Sequence, residues 1–230
     1  MLRQIDSDIW VAEQPLRYLG LSIGTRMTII RLANRELIVI SPIQINETIV
    51  AQLEEIGTVR HIITPNLYHY FFAADFKIHY SNATFWAVPG LKAKKPDLPI
   101  DQVITSETSP WDGIDYVFFD GFRTPSLRGF DLLNECIFFH KSSRTLILTD
   151  TAIHFDESFP VITQFAARVL GGYKTLRPSL LERIATTEKD KVRGAVEKVL
   201  CWDFERVIMA HGTIVERNGK EQFRDAYDQF

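Results

Sequence analysis

Residues 135–150 read Glu-Cys-Ile-Phe-Phe-His-Lys-Ser-Ser-Arg-Thr-Leu-Ile-Leu-Thr-Asp. Two apolar runs of strand composition, residues 135–139 and 145–149, flank the polar residues 141–144. Apolar runs of this length on either side of a short polar turn are typical of a β-hairpin. The stretch therefore predicts two paired strands, the second of which delivers a carboxylate, Asp150, to its end.

More strands are expected on both sides of this hairpin. Residues 27–32 and 36–40 are β-rich runs joined by a three-residue polar turn, which indicates an antiparallel start. Single apolar runs predict the remaining strands at residues 59–64, 85–88, 116–119 and 206–210.

Helical patterns lie between and after these strands. Asn46 is placed to cap a helix that Gly57 ends, and further helices are predicted at residues 70–76, 161–170, 180–185, 188–200 and from Lys220. In helix 188–200, Thr187 and Asp190 are placed like a capping box, and one apolar face carries Val192, Val196, Val199 and Leu200.

The order of elements predicts an α/β protein in which two mixed β-sheets are covered by helices in a four-layer αββα sandwich. Strands in two batches, each followed by helices, favour this arrangement over a sandwich of strands alone. Residues 92–112 show no periodicity and are predicted to form a long surface loop. The length of 230 residues suits one domain spanning residues 1–230.

Composition excludes several classes of function. With 26 basic and 29 acidic residues, the formal charge is −3, so a nucleic-acid partner is not expected. No window approaches the roughly 18 apolar residues of a membrane span, so we expect no membrane association. Two cysteines are too few for a disulfide framework, which favours a cytoplasmic location.

Polar residues that can bind metal follow three of the predicted strands. His69 comes shortly after the strand ending at Thr64, Asp150 directly follows residues 145–149, and His211 follows residues 206–210. Because sheets deliver side chains to a common rim at their strand ends, we expect all three to lie within about 8 Å of one another.

These segments resemble the metallo-β-lactamase superfamily over nearly the whole chain. The 59–69 segment takes the place of its THxHxDH motif, Thr149-Asp150 that of its GD motif, and Ala210-His211-Gly212 that of its closing HG. The chain is similar in particular to a divergent domain-of-unknown-function family with PNxxH and HxxSRTLxxTD segments. Here these segments are residues 65–69 and 140–150.

The resemblance implies a reduced metal site. Aligning His69 with the last histidine of the motif puts Tyr68 in place of its aspartate and Asn66 in place of its middle histidine. The three-histidine half of the two-metal site is then absent, and His69, Asp150 and His211 remain as ligands for one zinc or iron ion. An equally open alternative is a hydrogen-bonded triad with no metal at all.

Four further residues are candidates for substrate binding. Asn66 and Tyr68 are placed to line a pocket beside the metal. His140 precedes Lys141 and Arg144, which are placed to form a cationic rim for a carboxylate or phosphate, and the alternative for these two cations is the solvated tip of a hairpin.

The resemblance implies a metal-dependent hydrolase of a small ester, thioester or amide, with Asp150 and His211 as catalytic residues, or an oxidoreductase if iron is bound. The substrate itself is not readable from the sequence. The alternative is a catalytically silent member of the fold that acts as a binding or regulatory module. An aromatic content of 12% allows a homodimer.

Overall fold

The computed structural model describes residues 1–105, 108–126 and 129–228. Within these ranges the strands are β1 Leu2–Asp6, β2 Ile9–Gln14, β3 Arg17–Tyr18, β4 Leu21–Ser22, β5 Thr25–Arg31, β6 Glu36–Ile40, β7 Thr58–Thr64, β8 Thr84–Ala87, β9 Gln102–Val103, β10 Ile114–Phe119, β11 Arg123–Ser126, β12 Gly129–Leu132, β13 Glu135–His140, β14 Thr145–Ile147 and β15 Arg206–Ile208. The helices are α1 Glu47–Ile56, α2 Ala73–His79, α3 Leu91–Lys94, α4 Val161–Leu170, α5 Leu180–Ala185, α6 Lys189–Leu200 and α7 Gly219–Tyr227.

Two mixed sheets form the centre of the molecule. The larger sheet has the order β1-β2-β5-β6-β7-β8-β9, antiparallel up to β6 and parallel from β6 onward. The smaller sheet has the order β10-β13-β14-β15, in which only the β14–β15 pair is parallel among the described strands. Two short ribbons, β3–β4 and β11–β12, accompany them.

The buried side chains fall into three apolar layers. One layer lies between the sheets and combines residues of the larger sheet, such as Ile38 and Ile63, with residues of the smaller one, such as Phe138 and Ile208. A second layer joins the larger sheet to α1 and α2, and a third joins the smaller sheet to α6 and α7. The predicted four-layer αββα sandwich with two mixed sheets is confirmed.

Several local predictions hold. The hairpin at residues 135–149 is present as β13 and β14, and the early hairpin as β5 and β6. The Asn46 side chain accepts a hydrogen bond from the backbone N–H of Ile49 at 2.9 Å, which caps α1 as predicted. In α6, Val192, Val196 and Val199 are buried against the smaller sheet.

Other local predictions need correction. The helix predicted at residues 70–76 is shifted to α2, because the preceding residues form a turn around His69. The loop predicted at 92–112 contains the end of α3 and β9, which pairs with β8, and residues 106–107 of it lie outside the described ranges. The capping box belongs to α5, where Ser179 and Glu182 bond reciprocally, rather than to Thr187 and Asp190.

Within the described residues, the structure contains no helix of the length and apolarity needed to span a bilayer.

A charge placed on the buried face of α6 should be strongly destabilising. Val196 is 8% exposed and packs in the layer between α6 and the smaller sheet. We expect Val196→Asp to lower the free energy of unfolding by about 3 kcal/mol or more, because it buries an unpaired carboxylate. Urea denaturation measures the loss, and Lys198→Asp on the exposed face serves as control. Equal stability of the two variants would contradict the packing described.

Candidate metal centre

The candidate site lies at one edge of the two facing sheets. His69, Asp150 and His211 follow the C-terminal ends of β7, β14 and β15 within a few residues. Each of these strands is parallel to a neighbour, so their C-terminal ends point to the same edge. Strand direction therefore brings together side chains that are far apart in sequence.

The three side chains converge on one carboxylate oxygen. Oδ1 of Asp150 lies 3.2 Å from Nε2 of His69 and 3.3 Å from Nε2 of His211. The potential ligand atoms of these residues all lie within 4.8 Å of one another, and all three residues are partly buried. The predicted convergence of His69, Asp150 and His211 is confirmed.

The far side of each imidazole is held by a partner next to a strand of the larger sheet, Gly24 before β5 and Ser41 after β6. Nδ1 of His211 lies 2.6 Å from the carbonyl oxygen of Gly24, so Nδ1 carries a proton, and Nε2 faces Asp150. Nδ1 of His69 lies 2.6 Å from Oγ of Ser41. Partners of this kind orient imidazoles toward a metal.

Asn66 connects the His69 turn to the Asp150 loop. Its Nδ2 donates to Oδ2 of Asp150 at 2.8 Å and to Oγ1 of Thr149 at 2.9 Å, while its Oδ1 accepts from the backbone N–H groups of Tyr68 and His69. The side chain is fully buried. The predicted substrate-binding role of Asn66 is therefore replaced by a positioning role, since its amide is saturated within the protein.

Tyr68 is turned toward the β11–β12 ribbon. Its hydroxyl donates to Oδ2 of Asp131 at 3.1 Å, and Nζ of Lys94 lies 3.6 Å from the centre of its ring. Burial and the hydrogen bond to Asp131 raise the pKa of Tyr68, so its hydroxyl stays protonated. Tyr68 lies on the rim of the site, and its contact with substrate stays a prediction.

Glu135, for which the sequence pattern predicts only a place in a strand, anchors the Asp150 loop. Its carboxylate accepts from the backbone N–H groups of Thr149 at 2.8 Å and Asp150 at 2.7 Å, and from the hydroxyls of Thr149 and Thr151. Nδ2 of Asn66 lies 3.2 Å from it. A charged residue at the start of an otherwise apolar strand is the signal that could have identified this role.

Arg26 holds the loop that carries His211. Its buried guanidinium donates to the carbonyl oxygens of Met209 and Gly212, and it pairs with Glu13 at 2.8 Å. Gly212 has a φ of +84°, and a Cβ there would overlap the carbonyl oxygen of His154. The His-Gly pair is therefore required by backbone geometry as well as by the imidazole.

The charges of the centre stabilise one another. Burial alone would raise the pKa of Asp150, but the two imidazoles hold it well below its usual range. Burial alone would lower the pKa of His69, but the Asp150 carboxylate raises it above its usual value. In the absence of a cation, a proton on His69 supplies the positive charge that Asp150 requires.

Two predicted substrate contacts, His140 and Arg144, lie elsewhere. They are at the C-terminal end of β13 and in the following turn, and β13 starts at Glu135 beside the metal centre. A six-residue strand spans about 17 Å, which puts them at the opposite edge of the sheet. Arg144 pairs with the exposed Asp203 at 2.9 Å. His140 and Arg144 therefore lie away from this centre, because the hairpin places its turn at the other edge, and their contact with a substrate stays a prediction.

A second buried carboxyl, Glu182 in α5, gives a pH dependence that can be tested. The Ser179 N–H donates to it at 2.9 Å and the Thr124 hydroxyl at 3.3 Å. Burial raises the pKa of Glu182 from 4.5 to about 7, and the negative charge of Asp150 adds to the rise. A carboxyl of this kind stabilises the fold while it is protonated.

We therefore expect stability to fall as the pH rises. Protonated Glu182 adds fully to the free energy of unfolding below pH 4.5, the pKa of the group in the unfolded chain. This stabilisation is lost as the pH rises to about 7, the pKa in the folded protein. The full loss is about 3 kcal/mol. Urea denaturation with chelator present should show this decline in the wild type and a flatter profile in Glu182→Gln. Parallel profiles for the two proteins would refute this role of Glu182.

The donor set fits one transition-metal ion. Two imidazole nitrogens and one carboxylate oxygen, held by neighbouring hydrogen bonds, make up a three-residue site typical of catalytic zinc and of 2-His-1-carboxylate iron. The remaining coordination positions would be left to water or substrate.

Comparison with known proteins agrees with this description. A family model described as a domain of unknown function, DUF4336, matches residues 6–173. No curated protein matches the sequence.

Solved structures of metallo-β-lactamases share the fold over the full length. The enzyme from Pontibacter korlensis is 10% identical with a TM-score of 0.68, and the match covers 100% of this chain and 99% of that one. The enzyme from Erythrobacter litoralis is 14% identical with a TM-score of 0.69, covering 100% and 96%. The Flv1 flavodiiron core from Synechocystis is 13% identical with a TM-score of 0.63, covering 100% and 60%.

At such identities the structural similarity shows the fold alone. The family model, in contrast, covers well over half of the sequence. The chain therefore belongs to the DUF4336 family, and its fold is that of the metallo-β-lactamases.

Proposed function

We propose that this protein is a metal-dependent hydrolase with a mononuclear centre. The observation that carries the proposal is the convergence of His69, Asp150 and His211 within 4.8 Å at the edge where the parallel strands end. Three protein ligands with open positions are characteristic of catalytic rather than structural metal sites.

Each ligand has a defined role in this proposal. Nε2 of His69, Nε2 of His211 and Oδ1 of Asp150 would hold the ion, while Asn66 binds the other oxygen of Asp150 and keeps Oδ1 directed into the centre. A bound zinc or iron ion lowers the pKa of coordinated water and polarises a carbonyl group. The hydrogen bonds to Gly24 and Ser41 keep both imidazoles oriented through the reaction.

The substrate class follows from this chemistry. A metal-bound water with a lowered pKa would suit hydrolysis of a small ester, thioester or amide, with Asp150 and His211 among the residues that would hold the ion. Occupation by iron would instead suit redox chemistry, to which the similarity with the flavodiiron core adds support.

Hydrolysis by metal-loaded protein tests the proposal. Purified protein would be loaded separately with zinc, manganese and iron(II) and tested on small esters, thioesters and amides. We expect turnover that chelator abolishes and that His211→Ala lowers at least about 100-fold. The exposed His79→Ala serves as the matched control and should keep full activity. Turnover that survives both chelator and His211→Ala would contradict the assignment.

A catalytically silent binding module is the second candidate. The observation that favours it is that Asn66 and Tyr68, which the resemblance puts at positions of metal ligands, are bonded to other protein groups. Less than about a tenth of an equivalent of zinc, iron and manganese in protein purified without chelator would favour this function.

A further inference from the structure

A second group of reactive side chains lies at the opposite edge of the smaller sheet. The turn between β13 and β14 brings together His140, Ser142 and Ser143. Nε2 of His140 lies 3.0 Å from Oγ of Ser142, and its Nδ1 lies 2.7 Å from Oγ of Ser143. His140 is buried, whereas Ser142 is exposed. The metal centre uses none of these residues.

The neighbouring hydrogen bonds determine which nitrogen of His140 carries the proton. Oγ1 of Thr145 donates to the carbonyl oxygen of Ser143 at 3.1 Å and accepts from Nη1 of Arg206 at 3.3 Å. It also accepts the hydroxyl proton of Ser143 at 2.9 Å. Because that proton is committed to Thr145, Oγ of Ser143 accepts a hydrogen bond from Nδ1–H of His140.

This tautomer leaves a base beside a nucleophile. With its proton on Nδ1, the neutral imidazole offers the lone pair of Nε2 to the hydroxyl of Ser142. Burial lowers the pKa of His140, although Asp8 and Asp6 oppose the shift, so the ring is neutral near pH 7. A serine bonded to a histidine that a third group orients is the arrangement of an activated serine nucleophile.

A cavity lies next to this serine. Its volume is about 250 Å³, and its walls include Ser142, Ser143, Arg144 and Arg206. Arg206 is neutralised by Asp6 at 3.0 Å and Glu216 at 2.9 Å. The cavity is small, and its lining sets Arg144 and Arg206 against Asp6, Glu205 and Glu216, so it suits a short acyl group without negative charge.

We propose that Ser142 and His140 form a second, metal-independent acyl-transfer site for short-chain activated esters. Oγ of Ser142 attacks the carbonyl carbon while its proton moves to Nε2 of His140. The bond to the leaving oxygen then breaks, and that oxygen takes the proton from Nε2. Water releases the acyl group by the same two proton transfers, which restores the serine hydroxyl and the neutral imidazole.

The second step should be the slower one. In serine proteases a carboxylate stabilises the imidazolium directly, whereas His140 has a serine hydroxyl at that position. The carboxylates of Asp6 and Asp8 act on it only at longer range. An activated ester has a good leaving group and the serine ester does not, so the weaker base limits water attack more than acylation. Acyl-enzyme is therefore expected to accumulate, with a burst of product that approaches one equivalent per chain.

The test is reaction of the purified protein with 4-nitrophenyl acetate in the presence of chelator. We expect a burst of 4-nitrophenol and one acetyl group that peptide mass spectrometry locates on Ser142. Ser142→Ala should lower the burst at least tenfold, and His140→Gln should lower its rate at least tenfold. Ser81→Ala, which removes an exposed serine elsewhere, should leave it unchanged.

Further controls keep the outcome decisive. Thermal melts establish that each variant is folded, and Ser143→Ala should slow the burst because Nδ1 then loses its acceptor. The burst should be the same with and without chelator, which separates this site from the metal centre. An unchanged burst in Ser142→Ala, or an acetyl group found on Lys141 instead of Ser142, would overturn the proposal.

Discussion

Asp150→Asn should lower the affinity for zinc and iron at least about 100-fold. The substitution keeps the shape of the side chain but removes the charge that His69 and His211 face at 3.2 and 3.3 Å. A neutral amide is a poor ligand for a dication, and loss of one of three ligands removes the geometry of the site. Hydrolytic activity that depends on the metal should disappear with it.

Competition with a fluorescent chelator measures this change in affinity. Asp97→Asn, which makes the same substitution at an exposed position, is the matched control and should bind metal like the wild type. If metal adds no thermal stability to the wild type, and Asp150→Asn matches it within about 1 kcal/mol, the centre is a metal-free hydrogen-bonded triad.

Glu135→Leu should have the largest effect on stability of any single change at the site. The substitution leaves the buried N–H groups of Thr149 and Asp150 without their acceptor, together with two hydroxyls. Each orphaned donor costs about 1–3 kcal/mol, so we expect a loss of about 4 kcal/mol or more in the free energy of unfolding.

Denaturation with urea tests this expectation against two comparisons. Glu135→Gln keeps one acceptor oxygen and should lose less stability than Glu135→Leu. Glu55→Leu, at an exposed position of α1, should stay within about 0.5 kcal/mol of the wild type. A Glu135→Leu protein as stable as the Glu55→Leu protein would contradict the anchoring role.

The sequence predicts the elements and the three converging residues because both depend on local pattern and strand direction. Apolar runs identify the hairpin around residues 141–144, and a polar residue at a strand end marks Asp150 and His211. Parallel strands end at the same edge, so the convergence follows once the sheets are assumed.

The supporting residues were missed because their roles depend on contacts between distant segments. Arg26 lies inside an apolar strand and bonds to carbonyl oxygens 183 and 186 residues away. Gly24 contributes only its backbone carbonyl oxygen, which every residue type has, so the sequence carries no signal for this role. Ser41 follows an apolar strand just as Asp150 does, so the same signal could have identified it.

The misplacement of His140 and Arg144 has a simple topological cause. Both residues lie close to Asp150 in sequence, but a hairpin carries its turn to one edge of the sheet and its outer strand ends to the other. A cytoplasmic location, a homodimer and the lack of a nucleic-acid partner stay predictions.

The metal content of the wild-type protein tests the central claim most directly. Elemental analysis of protein purified without chelator should find about one equivalent of zinc, iron and manganese combined per chain. The same analysis of Asp150→Asn should find less than about a tenth of an equivalent. A wild-type protein that also holds less than about a tenth of an equivalent, and that added zinc, manganese or iron does not stabilise, would contradict a metal centre at His69, Asp150 and His211.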